Sequence, residues 1–302
     1  MRPDKTFLAL AVTVLLWASA FPAIRVALGG YAPWELSLLR LAAASAALAV
    51  IAPLLKVRRP ALRDVPRVAA VGAAGMSGYQ LLLNWGELHV PAGTAALIIA
   101  VVPALSALLA AAFLGEHLGP FRILGTLVAL AGTALIALAG GETAYSTAAW
   151  AVFAAAIAQA VYHFAIKSLL RRYTGLEVAS YAMWAGTLLL LPLAPATARA
   201  VVDAPADATT AALLLGLLPS AAGFVIWGYA VARLSVTAAT SALYLVSPVT
   251  LAVAYLWLGE TPTAAELIGG IVTLTGVVLL GRTKKGTSPA PVRATVASQN
   301  PR

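Results

Sequence analysis

"LGEHLGPFRILGTLVALAG", residues 114–132, sets Glu116, His117 and Arg122 between two long apolar runs, and its Leu-Gly-Glu triplet returns at 258–260. Working outward, "VPAGTAALIIAVVPALSALLAAAFLGEHLGPFRILGTLVALAG" (90–132) lies over "VTAATSALYLVSPVTLAVAYLWLGETPTAAELIGGIVTLTG" (236–276). Val90, Ala92, Thr94, Ala96 and Leu97 match Val236, Ala238, Thr240, Ala242 and Leu243. Pro103 and Pro248 correspond after a one-residue shift, and Gly125 and Gly132 match Gly269 and Gly276. Further upstream, "FPAIR" (21–25) aligns with "HFAIK" (163–167), which sets Trp17 opposite Gln159. The chain reads as a diverged internal duplication.

Composition says where such a chain can live. Of 302 residues, 61% are hydrophobic and only 10% charged, too little charge to cover a soluble surface. Apolar runs recur about every 28–30 residues, each close to the ~20 a helix needs to cross a hydrocarbon core. We therefore expect an all-α integral membrane protein with spans at 7–28, 35–55, 68–88, 93–114 and 120–140, then 148–169, 177–195, 210–231, 238–258 and 263–281. The start, "MRPDK" followed by "FLALAVTVLLWASA", mimics a signal peptide. The apolar run continues to Leu28, however, and the duplication requires that element, so we read a retained first helix.

Ten spans with the N-terminus inside put both termini in the cytoplasm. That orientation leaves only Arg25, Arg40 and Arg199 of the 20 Lys and Arg residues toward the outer side, Arg199 in an expected loop at 196–209. The clusters "KVRRPALRDVPR" (56–67), "KSLLRR" (167–172) and "GRTKK" (281–285) then all face inward, as the positive-inside bias requires. This distribution, and not nucleic-acid binding, accounts for the net charge of +9. Five helices per half is an odd number, so the halves, 1–140 and 148–283, are expected upside down relative to each other. Inverted repeats of this kind enclose a midplane site in secondary transporters. The polar tail 286–302 is expected to be disordered.

There is no cysteine, which removes thiol catalysis and thiolate metal sites. Intramembrane polar groups are the default functional candidates. Those singled out here are Trp17, Tyr79, Gln80, Asn84, Gln159, His163, Trp227 and Tyr244. They would suit an aromatic-walled cavity with a few hydrogen-bonding groups, and could equally knit helices together. Trp34, Trp150 and Trp257 lie at span ends and read as interfacial anchors. His163 has no second His or carboxylate beside it, so no metal, cofactor or catalytic site is expected. Pro103 and Pro248 break their helices mid-span and read as hinges or static bends. The glycines seven residues apart read as helix-packing faces. Glu116 and Glu260 are expected to mark hinges at the N-terminus of the following helix, where the dipole favours a carboxylate.

Two five-helix halves, "WASAF" (17–21), and a proline followed by Leu-Gly-Glu and spaced glycines in each half resemble the drug/metabolite transporter superfamily, in particular its EamA branch. The resemblance covers roughly residues 5–283. It implies a ten-helix basket with the fourth and ninth helices central and the fifth and tenth peripheral, in the inner membrane of a bacterium. It also implies export of amino acids or similar metabolites, aromatic amino acid exporters being nearest by polar-aromatic content. The membrane-embedded Glu of small multidrug relatives is missing, and no Lys or Arg is expected in the cavity to meet phosphate. An uncharged or zwitterionic small molecule is therefore the expected substrate, and a monomer in the bilayer the simplest assembly. A polyspecific drug exporter, a channel and a membrane-embedded enzyme are the alternatives, and the last lacks any recognisable metal or nucleophile motif.

Overall fold

The computed structural model describes residues 5–114, 120–139 and 143–281. Among them every regular element is helical and no strand forms. The segments are α1 (Lys5–Ala27), α2 (Pro33–Leu54), α3 (65–86), α4 (92–114), α5 (Pro120–Ala139), α6 (Thr143–Leu169), α7 (Gly175–Asp203), α8 (Ala206–Arg233), α9 (Val236–Leu258) and α10 (Ala264–Gly281). Ala- and Leu-rich sequence favours helix, and in lipid a helix satisfies each backbone N–H and C=O within its own segment. Seven of these helices (α1, α2, α4, α6, α7, α8 and α9) are long and apolar enough to cross a membrane, and α5 and α10 contain shorter apolar helices. α3 is diluted by Arg67, Ser77, Gln80 and Asn84 among its glycines. Large apolar side chains such as Phe7, Leu54, Leu188, Leu256 and Ile271 point outward, as an acyl-chain environment allows. Trp34, Trp150 and Trp257 are all exposed.

Besides a bend in α7, four helices are interrupted, and these four interruptions come in matched pairs. α3 and α8 each contain a π-helical turn, Ala73–Gly78 and Gly216–Ala222. α4 breaks at 100–101, just before Pro103, and α9 tightens into a 3-10 turn, Ala242–Leu245, just before Pro248. Each proline lacks the N–H that would bond the carbonyl four residues earlier, so the distortion sits on its N-terminal side. Helix starts are paired as well. In α2, Glu35 accepts from the N–H of Ala32 at 2.9 Å, and in α7 Glu177 accepts from that of Thr174 at 2.7 Å.

α5 and α10 pack chiefly on each other, at the edge of the bundle. The glycines are the reason. A Cβ on Gly132 would lie 2.4 Å from the N of Thr273 and 2.6 Å from the O of Gly269; one on Gly276 would lie 2.3 Å from the N of Ala129 and 2.5 Å from the O of Gly125. Only hydrogen fits where two backbones touch. Gly132 meets Gly269 and Gly276 meets Gly125, so the two helices run antiparallel. α4 and α9 are antiparallel too, the N-terminal half of each packing on the C-terminal half of the other.

Two expectations need correcting. Residues 196–209 do not form a loop, because α7 bends through a 3-10 turn at Leu191–Leu193 and continues to Asp203. Pro192 and Pro195 fall in the first turns of the restarted helices, where a missing N–H costs nothing, so Arg199 lies on a helix. Second, Glu260 does not cap α10. That role belongs to Glu266, which accepts from Thr263 N–H at 2.8 Å, while Glu260 accepts from the N–H of Gly93 in the first turn of α4 at 3.5 Å. Gly259 ends α9 in the left-handed conformation, its N–H bonded to the Tyr255 carbonyl at 3.1 Å, which explains the glycine of that triplet. Glu116, His117 and the tail 286–302 lie outside the described residues.

Candidate functional site

Two adjoining chambers open inside the bundle at the level of the helix breaks. The first, about 400 Å³ of atom-free space, is walled by Trp17, Phe21, Tyr79, Gln159 and His163 together with Ala96, Ile99, Ala100 and Val102 of α4 and Leu243, Val246 and Ser247 of α9. The second, about 320 Å³, shares Trp17, Phe21, Tyr79 and Gln159 with it and adds Ala20, Arg40, Leu83, Pro219 and Phe224. The proline-induced breaks thus supply part of the wall. Ser247 ties them together by donating to the Ala96 carbonyl at 2.7 Å.

Of the side chains proposed from sequence, Trp17, Tyr79, Gln159 and His163 line this space. Trp17 is held by an Nε1–H bond of 3.0 Å to the Pro219 carbonyl, within the π-helical turn of α8. Its ring stacks on His163 with centroids 6.0 Å apart and planes 7° from parallel. Gly223 makes room for the indole, since a Cβ there would lie 2.8 Å from Nε1. One turn separates Gln159 from His163, and their Nε2 atoms lie 3.2 Å apart. With the amide nitrogen as donor, His163 accepts at Nε2 and carries its proton on Nδ1. Neither His163 Nδ1 nor Gln159 Oε1 has a hydrogen-bond partner.

The other four candidates are elsewhere. Gln80 is buried without reaching the cavity, and its Oε1 is unpartnered. Asn84 is fully buried as a brace, donating to Ser37 Oγ at 2.8 Å and accepting from Arg40 at 3.1 Å. Trp227 is completely buried behind Trp17 and His163, with ring centroids 5.3 and 4.7 Å away. Tyr244 packs on a second apolar cluster with Val101, Val102, Ala156 and Ala160. Rotation about the helix axis decides these outcomes, and spacing along the chain does not carry it.

Arg40 overturns an expectation. Counted from the edge of its helix it appeared peripheral, yet it is only 4% exposed and forms part of the second chamber. The cavity therefore does contain a cation. The available signal was Arg40 itself, a charged side chain inside an expected span with Ser37 one turn before it on the same helix.

Polar contacts close both ends of the bundle. At one end, Arg58 Nε lies 2.7 Å from Glu177, Arg172 lies 2.8 Å from Asp64, and the Tyr173 hydroxyl donates to Asp64 at 2.9 Å. Those bonds, Tyr173 first and Arg172 next, hold the Asp64 carboxyl below its ordinary value, and the Glu177 carboxylate raises the Arg58 guanidinium above its own. At the other end a looser pair, Arg25 with Glu260 at 3.5 Å, joins α1 to the segment between α9 and α10. Arg25 also donates to the carbonyls of Glu87 and Leu88 at the end of α3, and Lys167 donates to those of Val231 and Leu234 at the end of α8. The weakly aligned pair Arg25 and Lys167 thus perform the same task. Among the described residues no cluster of His, Asp or Glu could hold a metal.

Comparison with known proteins agrees with this architecture. Residues 5–138 and 146–282 each match the EamA-like transporter family. The chain is 58% identical over 294 residues, 96% of its own length and 99% of the relative's, to a Streptantibioticus cattleyicolor protein named "Probable terminal-alkyne amino-acid exporter". It is 36% identical to the "Uncharacterized transporter YdfC" of Bacillus subtilis, over 68% of this chain and 67% of that one. A crystal structure at 22% identity superposes with a TM-score of 0.66 over 92% of this chain and 97% of the other, which speaks for the fold alone. With two family matches that together span nearly the whole sequence, this chain belongs to the EamA-like transporter family and is a multi-pass membrane protein.

Proposed function

We propose that the protein exports amino acids with hydrophobic side chains, aromatic or small and unsaturated, by alternating access around the paired chambers. The observation that carries this reading is the cavity itself. Trp17, Phe21, Tyr79 and the α4 and α9 breaks offer an apolar surface, while Gln159 and His163 offer unpartnered polar atoms at its edge. The relative named as a terminal-alkyne amino-acid exporter, at 58% identity, favours a compact unsaturated side chain. An aromatic substrate remains within the same class, since aromatic walls suit either.

In this reading ten helices cross the bacterial inner membrane with both termini inside, and two inverted five-helix halves rock about the cavity. The antiparallel crossings of α4 on α9 and α5 on α10 support it, as does the equivalence of Arg25 and Lys167. Pro103 and Pro248 act as hinges, because each leaves a helix distorted where it meets the cavity. The molecule works as a monomer on an uncharged or zwitterionic substrate, without cofactor or nucleic acid.

The test is uptake into proteoliposomes of labelled L-propargylglycine, L-phenylalanine, L-leucine and L-alanine, with and without a pH gradient. Saturable movement of the hydrophobic amino acids is expected, and movement of none of them overturns the proposal. Efflux of structurally unrelated cationic dyes with no amino acid movement would favour a polyspecific drug exporter instead.

A further inference from the structure

We propose that Arg40 is the carboxylate anchor of the transport site. Its guanidinium would hold the substrate's α-carboxylate in the second chamber while the side chain occupies the first. This deepens the amino-acid export reading and rests on it.

Three observations converge on Arg40. It is buried, and one guanidinium nitrogen, Nη1, is committed to Asn84 Oδ1 at 3.1 Å. Asn84 in turn donates to Ser37 Oγ at 2.8 Å, and Ser37 donates to the Pro33 carbonyl at 2.6 Å. This relay orients the planar group without neutralising it. Second, Nε has no partner, and no carboxylate among the described residues lies within 4.0 Å of the guanidinium. Arg25, Arg58 and Arg172 each have such a carboxylate. Third, the residue forms part of the wall of the second chamber, a narrow space that must widen as the halves rock for an anion to enter.

A guanidinium taken out of water without a contact counter-ion is costly, and its planar fork matches a carboxylate in geometry and charge. Glu87 is also buried with neither carboxylate oxygen bonded, so it does not close the fork. The two chambers meet at Trp17, Tyr79 and Gln159. A carboxylate on Arg40 therefore sets the α-carbon near Gln159, whose unpartnered Oε1 can accept from the ammonium, and directs the side chain toward the apolar chamber.

The experiment is competition against labelled L-propargylglycine in proteoliposomes by the unlabelled amino acid, its carboxamide and its decarboxylated amine. In the natural protein the carboxamide and amine should compete on the order of tenfold to a hundredfold more weakly, the effect of losing charge-assisted hydrogen bonds. Arg40→Gln should raise KM for the amino acid by a similar factor and erase the preference over the carboxamide; Arg40→Lys should fall between. Equal competition by acid and carboxamide in the natural protein overturns the proposal, as does an unchanged preference in Arg40→Gln. If Arg40→Gln does not fold, the natural protein's acid-to-carboxamide ratio and Arg40→Lys decide. Saturable amino acid transport with no carboxylate preference defeats this proposal alone, whereas no amino acid transport at all defeats the export reading beneath it.

Discussion

The two stretches that match the family, 5–138 and 146–282, share their scaffold and differ in their chemistry. Both place a Glu three residues into their second helix, a π-helical turn in the third, a proline-linked break in the fourth and close-contact glycines in the fifth. Arg25 and Lys167 bond the carbonyls that end the third helix of their own stretch. These features recur because helix ends and helix crossings pose the same physical problem wherever they occur: orphan polar groups must be bonded and backbones must fit. The cavity residues do not recur. Trp17 stands opposite Gln159, and the place of Arg40 in the first stretch is taken by Ala182 in the second. A small amino acid has one carboxylate and one side chain, so a site with twofold chemistry would fit it badly.

Copying the chemistry across should therefore do the most harm. Ala182 is 1% exposed, and Ala182→Arg would add a second buried guanidinium with no relay such as Asn84 and Ser37 to orient it. We expect a loss of about 3–5 kcal/mol, the scale of an uncompensated buried charge, visible as collapsed expression or early melting in detergent. Survival of this variant with near-natural stability would blur the contrast between the stretches.

Copying or altering the scaffold should instead act equally on both sides. Gly132→Ala and Gly276→Ala each force a methyl into backbone of the opposing helix and should each cost about 1–3 kcal/mol. Paired thermal melts within about 1 kcal/mol of each other would sustain the equivalence, and a large difference would break it.

The caps then sharpen the comparison. Glu35→Gln keeps a side-chain oxygen able to accept from the Ala32 N–H, so its melting temperature should hardly move. Glu177→Gln keeps the box and loses the charged bonds to Arg58, a half-exposed partner, so we expect about 1 kcal/mol at most.

A small, pH-dependent effect concerns Asp64, which closes the opposite end from Arg25 and Glu260. Its folded pKa lies below the ordinary 3.8, so its stabilising contribution is complete above that value and fades as pH falls through the folded one. Melting curves between about pH 3 and pH 6 should show this acid sag in the natural protein, reduced in Asp64→Asn. An identical sag in both would remove Asp64 from the account.

Much of the architecture was legible along the chain because it depends on one-dimensional properties. Low charge and apolar runs of spanning length require helices in a membrane. The repeated prolines and seven-residue glycine spacing pointed to breaks and crossings that do occur at those residues. The site was legible only in part. Trp17, Tyr79, Gln159 and His163 do converge, but Gln80, Asn84, Trp227 and Tyr244 are equally polar or aromatic, equally deep, and turned away from the cavity. Helices bathed in lipid and packed on one another are apolar on every face, so no periodic stripe records which side looks inward. That rotation is set by contacts between distant segments, such as the Trp17 indole on the Pro219 carbonyl. The same holds for Arg40, whose place beside the cavity depends on Asn84 arriving from another helix. The sequence by itself determined a duplicated helical membrane protein; only the tertiary structure decided which of its polar groups face one another across an empty space, because that choice is made by packing between residues far apart in the chain.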